Sequence, residues 1–265
     1  MRFVRTYVLA FLSLPLVFPV FAQQPAKTVQ RDAQAIGLLS QSLNAAGGAS
    51  QIAAVKDFTA TGKITHFWAG EGVNGPSTLR GRGVDQIRID SDLPGGSRSW
   101  VVHKGATSLR KNGKDVGAPY QTGVDSGAVN NPYFIVLAAL NDPQVSISSI
   151  EHANLNEHEV LLVRTQRRLT GGNGQPDEFL SRRTAKEVLI DPSTYLPIAL
   201  RSKVYPPKGF GGEFVQEVQF ADFRNVNGVL VPFSMTETIS GQRTWTFQAD
   251  SIVLNSGLGE SDLDQ

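Results

Sequence analysis

Cysteine is absent from the 265 residues, and methionine occurs only twice. Without thiols there is no disulfide and no thiolate metal site, so the fold must be held by its core. An excess of one charge is also missing. The 25 Lys and Arg residues face 24 Asp and Glu, which removes any global reason to expect nucleic-acid binding. Beyond the N-terminus, no stretch approaches the roughly 20 apolar residues that a membrane-crossing helix needs. The usual catalytic signatures are missing as well: no nucleophile elbow, no P-loop and no dinucleotide fingerprint. Gly81-Arg82-Gly83 lacks a third glycine and opens no helix. Carboxylates are scattered, and nothing favours a glycosidase pair. These absences point away from an enzyme and from any cofactor.

The N-terminus, in contrast, is rich in signal. Arg2 and Arg5 precede a nearly continuous apolar run from Tyr7 to Phe21, and Val20-Phe21-Ala22 supplies small residues where a signal peptidase reads. We expect a signal peptide over residues 1–22, cleaved after Ala22, and a periplasmic or secreted product. An uncleaved anchor is the alternative, but Pro15 and Pro19 interrupt the run and it is short for a span. Removing Arg2 and Arg5 takes the formal net charge from +1 to −1. Residues 23–30 are polar and are expected to be flexible. No low-complexity linker divides 31–265, so one domain is expected there.

Ala35, Leu38, Leu39, Leu43 and Ala46 recur at helical spacing, and Gly47-Gly48 supplies a C-terminal stop. From Phe58 the period becomes two. Phe58, Ala60, Ile64 and Trp68 share one strand face. A second strand is expected over Thr78–Asp90, with Leu79, Ile87 and Ile89 together, and a third over Arg98–Lys104. Gly62, Gly81 and Gly83 inside these runs predict a strongly curved sheet. Residues 105–131 read as irregular. Pro132–Leu140 is a short helix, apolar nearly all round, so it belongs in a buried position such as the concave side of that sheet. Further strands are expected at Val145–Glu151, Glu159–Leu169, Thr184–Ile190 and Pro197–Tyr205. A closing three-stranded meander runs from Phe214 to Asn255. Asn227-Gly228 and Ser240-Gly241 make its turns, and Trp245, Phe247 and Val253 are placed on one face.

Histidine and carboxylates crowd only at Glu151-His152 and Glu157-His158-Glu159. That spacing fails the zincin pattern and reads as a solvated hairpin, so no metal site is expected. Two arginine groups stand out. One holds Arg80, Arg82, Arg88 and Arg98; the other holds Arg164, Arg167, Arg168, Arg182 and Arg183. A solvated sheet face paired with acids accounts for both; a rim that meets anionic lipid headgroups is the sharper alternative.

Several local motifs carry a family resemblance. They are the helix ending in Gly47-Gly48, the opening strand Phe58-Thr59-Ala60-Thr61-Gly62-Lys63, and Ile190-Asp191-Pro192-Ser193-Thr194 before a strand. The most specific is Phe220-Ala221-Asp222-Phe223-Arg224, leading through Asn227-Gly228 to Val231-Pro232-Phe233. With an export leader, this combination resembles the outer-membrane lipoprotein-sorting, LolA-like superfamily over most of residues 31–255. The resemblance implies a mainly β (α+β) fold: a strongly curved antiparallel sheet forming an incomplete barrel, with helices on its concave side around an apolar cavity. It also implies a non-catalytic carrier whose partner is a lipid or an acylated lipoprotein, with an envelope protein as a further partner. Trp68, Trp100, Phe134, Leu137, Phe233, Trp245 and Phe247 are the expected cavity lining. Carriers of the family place an arginine before a proline at the lid or rim. Here the region reads Arg80-Gly81-Arg82-Gly83-Val84, without the proline, and Arg82 is the counterpart. Two other functions compete: a scaffold or docking module whose concavity helix 132–140 fills as core, and a hydrolase with an unrecognised site.

Overall fold

A computed structural model describes residues 29–68, 70–172, 174, 176–206 and 212–264. The expected signal peptide, and residues 23–28 after it, lie outside the described residues. Helix α1 (Ala33–Ala45) opens with Asp32, whose side chain accepts the Ala35 amide and so satisfies one of the free donors of the first turn. Its buried stripe is Ala35, Leu38, Leu39 and Leu43. Gly47, at φ +126°, ends it. A Cβ there would stand 2.1 Å from the Gly228 carbonyl oxygen, so backbone packs on backbone where the helix end meets a hairpin turn. The Leu230 amide donates to the Ala46 carbonyl (2.8 Å) at the same junction. A short helix α2 (Ala49–Ala53) follows.

Six strands come next: β1 (Asp57–Trp68), β2 (Glu71–Arg82), β3 (Gln86–Leu93), β4 (Gly96–His103), β5 (Ala106–Lys111) and β6 (Lys114–Asp115). The strand expected over Thr78–Asp90 is therefore two, broken at Gly83, whose φ is +56°. Part of the region expected to be irregular, 105–131, forms β5 and β6. Helix α3 (Pro132–Asn141) is capped by the Asn131 side chain, which accepts the Tyr133 amide. It touches α1, α2 and the strands behind it. The second half holds β7 (Val145–Ile147), β8 (Glu151–Leu155), β9 (His158–Arg167), α4 (Glu178–Arg182), β10 (Lys186–Ile190) and β11 (Pro197–Val204). The meander is β12 (Phe214–Val226), β13 (Val229–Ile239) and β14 (Gln242–Leu254), and a last turn of helix, α5 (Glu260–Leu263), closes the described chain.

All fourteen strands join one antiparallel sheet in the order β6-β5-β4-β3-β2-β1-β14-β13-β12-β11-β10-β9-β7, with β8 also on β9. The sheet does not close: β6 is one margin, and β7 with β8 the other. It is an incomplete barrel with helices against its inner face, the architecture that the resemblance implied. Its curvature is visible at a register shift between Thr61 and Gly62 on β14. A Cβ on Gly62 would lie 2.1 Å from the Gln248 carbonyl oxygen, so only glycine fits this bulge. The same shift reverses the sides of β14 beyond it. Val253, expected beside Trp245 and Phe247, is 53% exposed, while Ile252 and Leu254 point inward.

The inner side chains of β1–β4 and β9–β14 form one apolar cluster with α1, α2 and α3. Leu155, Val160, Leu162, Leu189 and Ala199 make a small second cluster on the outer face. Two further segments brace the sheet. Residues 116–131 form a strap over the inner face: Gln121 and Tyr205 exchange backbone hydrogen bonds (2.7 and 2.8 Å), and the Ala128 amide donates to the Val84 carbonyl (3.1 Å). The C-terminal segment is clasped to the start of β1. The Asp57 carboxylate accepts from the Ser256 hydroxyl (2.9 Å) and from the amides of Gly257 (3.2 Å) and Leu258 (3.3 Å).

Candidate ligand-binding cleft

A cleft of about 460 Å³ runs between α3 and strands β7, β9 and β10. Its apolar wall is Ile135, Ala138, Ala139, Pro143 and Val145; its polar wall includes Asp125, Thr165, Arg167, Thr184 and Lys186. The alternation of β10 puts Lys186 in phase with Val188 and Ile190, so the lysine points inward with them. Lys186 is 3% exposed. Its Nζ donates to the carbonyls of Thr184 (3.2 Å) and Ala185 (3.4 Å), and among the described residues no carboxylate pairs with it within 4 Å. Burial lowers its pKa to about 8, and the nearby Asp125 opposes that shift. Burial raises the pKa of Asp125, with Lys186 and Arg167 pulling the other way. Arg167 is held at the mouth by Asp142 (2.9 Å). The cleft is thus a short slot with an apolar wall and a polar inner end, where Lys186 lies near Asp125 at more than ion-pair distance.

A polar row crosses the inner face beside it. The Ser202 hydroxyl donates to Gln216 Oε1 (2.9 Å), and Gln216 Nε2 donates to Glu237 Oε2 (2.6 Å). The other Glu237 oxygen accepts from Thr244 (2.6 Å) and from the hydroxyl of Tyr120 on the strap (3.2 Å). Glu237 is 3% exposed, and burial raises its pKa despite these donors. Beside the row, burial and Arg98 lower the pKa of His66 to about 4, so its imidazole is neutral near pH 7. Among the described residues, His66 Nε2 and Arg98 Nε have no hydrogen-bond partner. Glu237 already accepts three hydrogen bonds. It fixes strap to sheet.

The residues expected to line a cavity are distributed differently. Phe134 is buried, its ring 6.2 Å from that of Phe58. Phe233, Trp245 and Phe247 are buried in the main cluster, and Arg224 lies over the Phe233 ring on its far side (4.5 Å). Trp100 is half-buried against Tyr120 (4.9 Å), and Leu137 is half-buried on the cluster. None of these six lines the α3 cleft; they form the packed body beside it. Trp68 corrects the expectation outright. It is 85% exposed, because β1 runs past the covered part of the sheet before turning. Arg82 faces outward and ties down the C-terminal segment, bonding Glu260, Gln86 Oε1 (2.7 Å) and the Leu258 carbonyl (3.2 Å). It is part of the clasp. Lys186 and Glu237 escaped sequence reasoning. The available signal was a charge in phase with buried neighbours: Lys186 with Val188 and Ile190, and Glu237 with Val231, Phe233 and Met235.

No protein-family profile matches the chain, and no curated protein matches it. Solved structures do. The chain is similar to LolA-type folds. One is a domain described as an outer membrane lipoprotein-sorting protein from Vibrio parahaemolyticus, 14% identical, covering 87% of this chain and 96% of that one, at a TM-score of 0.46. Another is a LolA superfamily protein from Nitrosomonas europaea, 9% identical, covering 87% and 97%, at 0.49. A DUF1329 family protein from Desulfovibrio piger is 7% identical, covering 89% and 98%, also at 0.49. Among the described residues, no helix is long and apolar enough to cross a membrane.

Proposed function

We propose that this chain is an exported, non-catalytic binding protein that takes one acyl chain of a lipid or lipoprotein into the cleft beside α3. One observation carries the reading: a slot of about 460 Å³, walled by α3 and ending at a buried lysine that, among the described residues, has no carboxylate within 4 Å. That volume lies in the range of small-ligand sites. Each methylene buried there contributes about 0.8 kcal/mol, so an alkyl chain needs no directional polar group along its length. In this reading Phe134 and Leu137 hold α3 in place. Trp100, Phe233, Trp245 and Phe247 are the packed wall behind it. Residues 31–265 act as one unit after removal of residues 1–22, in the periplasm or outside the cell.

Native mass spectrometry of gently purified protein, with titration of a fluorescent fatty acid, tests this. Ala138→Trp fills the slot from the half-buried side of α3 and should weaken binding at least about tenfold, since it removes several methylene contacts. A second reading has its own support: the main cluster runs unbroken from α1–α3 into β13 and β14, as a scaffold with a filled concavity would have it. Protein that carries no lipid and binds no fatty acid would establish the scaffold reading instead.

A further inference from the structure

The register of the sheet lines up four connections along one rim: β1–β2, β13–β14, β11–β12 and β9–β10. This rim collects exposed apolar side chains. Trp68 is 85% exposed, Phe179 66%, Val215 47%, Phe214 45% and Val73 42%. Of the large hydrophobic side chains exposed among the described residues, only Val116 and Val253 lie elsewhere. The rim is also basic. Arg167, Arg168, Arg182, Arg183, Lys203 and Arg243 stand on it against Glu71, Asp142, Asp177, Glu178 and Glu213, with Arg167 paired to Asp142. Lys203 pairs with Glu213, and Arg243 lies over the Phe67 ring (5.4 Å) beside Trp68. The opposite rim carries Asp85, Glu157, Asp191, Asp222, Glu260, Asp262 and Asp264 against Lys56, Arg82, Lys104 and Arg224, with Arg82 paired to Glu260 and Arg224 to Asp222. The molecule therefore carries a charge separation along the strands that its near-zero net charge conceals.

We propose that this rim docks on the surface of an anionic lipid bilayer, with Trp68 as the inserted anchor. A tryptophan and an arginine on one rim suit the headgroup layer, where an amphipathic ring and a cation both find partners. The apolar groups are spread along eight strands, about 34 Å along the curved sheet at the usual strand spacing, and form no single groove. Such spacing fits a broad, deformable surface better than a shaped protein pocket. The rim adjoins Arg167 and Lys186, so docking would present the α3 cleft to the lipid layer. The docking itself does not depend on that cleft being filled.

The test uses the protein purified after export, with vesicles of phosphatidylglycerol and phosphatidylcholine against phosphatidylcholine alone. Of the three tryptophans, Trp245 is buried and Trp100 is half-buried, so Trp68 dominates any solvent-sensitive change in emission. We expect co-sedimentation with the anionic vesicles, a blue shift of tryptophan emission, and loss of both in high salt. Trp68→Ser, at an exposed site where folding is undisturbed, should weaken binding about tenfold or more and abolish the shift. Arg243→Gln should weaken it about fivefold. Wild-type protein that stays in the supernatant with anionic vesicles overturns the proposal, as does undiminished binding by Trp68→Ser. Fatty-acid titration without vesicles reports on the cleft separately, so failure of one idea is distinguishable from failure of the other.

Discussion

Lys186 is a charge that the buried face accommodates at a cost. Its pKa of about 8 lies below the usual value near 10.4, so folding disfavours the protonated amine. The sign follows from linkage. A depressed folded pKa gives a contribution that is complete above the unfolded value and lost as pH falls through the folded one. At pH 7 the ligand-free protein bears the full penalty. Lys186→Met should therefore raise the urea midpoint at pH 7, by about 1–3 kcal/mol of stability. That advantage should vanish above pH 10.5, and an advantage independent of pH would contradict the account. The same variant should lose any preference for chains ending in a carboxylate or phosphate. Trp68 shows the opposite case: strand alternation placed it correctly on the inner face of β1, yet alternation says nothing about how far the covering helices extend. Burial at a strand end is decided by what packs over it, which no local pattern records.

At the scale of elements, helices α1 and α3 and the β12–β14 meander were legible because cap, period and turn agree within each of them. The β2–β3 turn was not, and parity explains why. Arg82 pairs with Gln86, leaving three residues between them, so Leu79 and Gly81 before the turn stay in phase with Ile87 and Ile89 after it. An unbroken alternation and a hairpin with an odd turn look alike. The strap at 116–131 has no period at all; its order comes from distant partners such as Tyr205, Val84 and Glu237. The clasp is similar in kind. Asp57 is 6% exposed and accepts three hydrogen bonds from residues 256–258. Asp57→Ala leaves two amides and a hydroxyl unsatisfied, and should destabilise the protein by about 1–3 kcal/mol. Limited proteolysis should then cut near residues 255–259 well before the rest of the chain. Uniform resistance in the variant would mean that Leu263, buried against the outer face, holds the segment by itself.

The whole molecule is organised around a pairing of its ends. β1, the first strand, lies against β14, the last, with Phe58 opposite Leu254 and Ile64 opposite Phe247. Among the described residues, the two arms of the sheet are joined strand to strand only there. Contacts of such sequence separation predict folding in milliseconds to seconds rather than microseconds. A chain ending at residue 241 lacks β14 and leaves β1 and β13 without a common neighbour. We expect it to show no cooperative unfolding transition by circular dichroism, whereas removing residues 257–264 should lower the midpoint and leave the transition intact. A cooperative transition in the shorter chain would show that one arm is stable alone. The joining of first strand to last also has a bearing on passage through a secretion channel. A polypeptide threaded through a narrow pore must arrive unfolded. If the chain is exported as proposed, β14 follows the other thirteen strands through the pore, and the sheet is completed only once β14 is across.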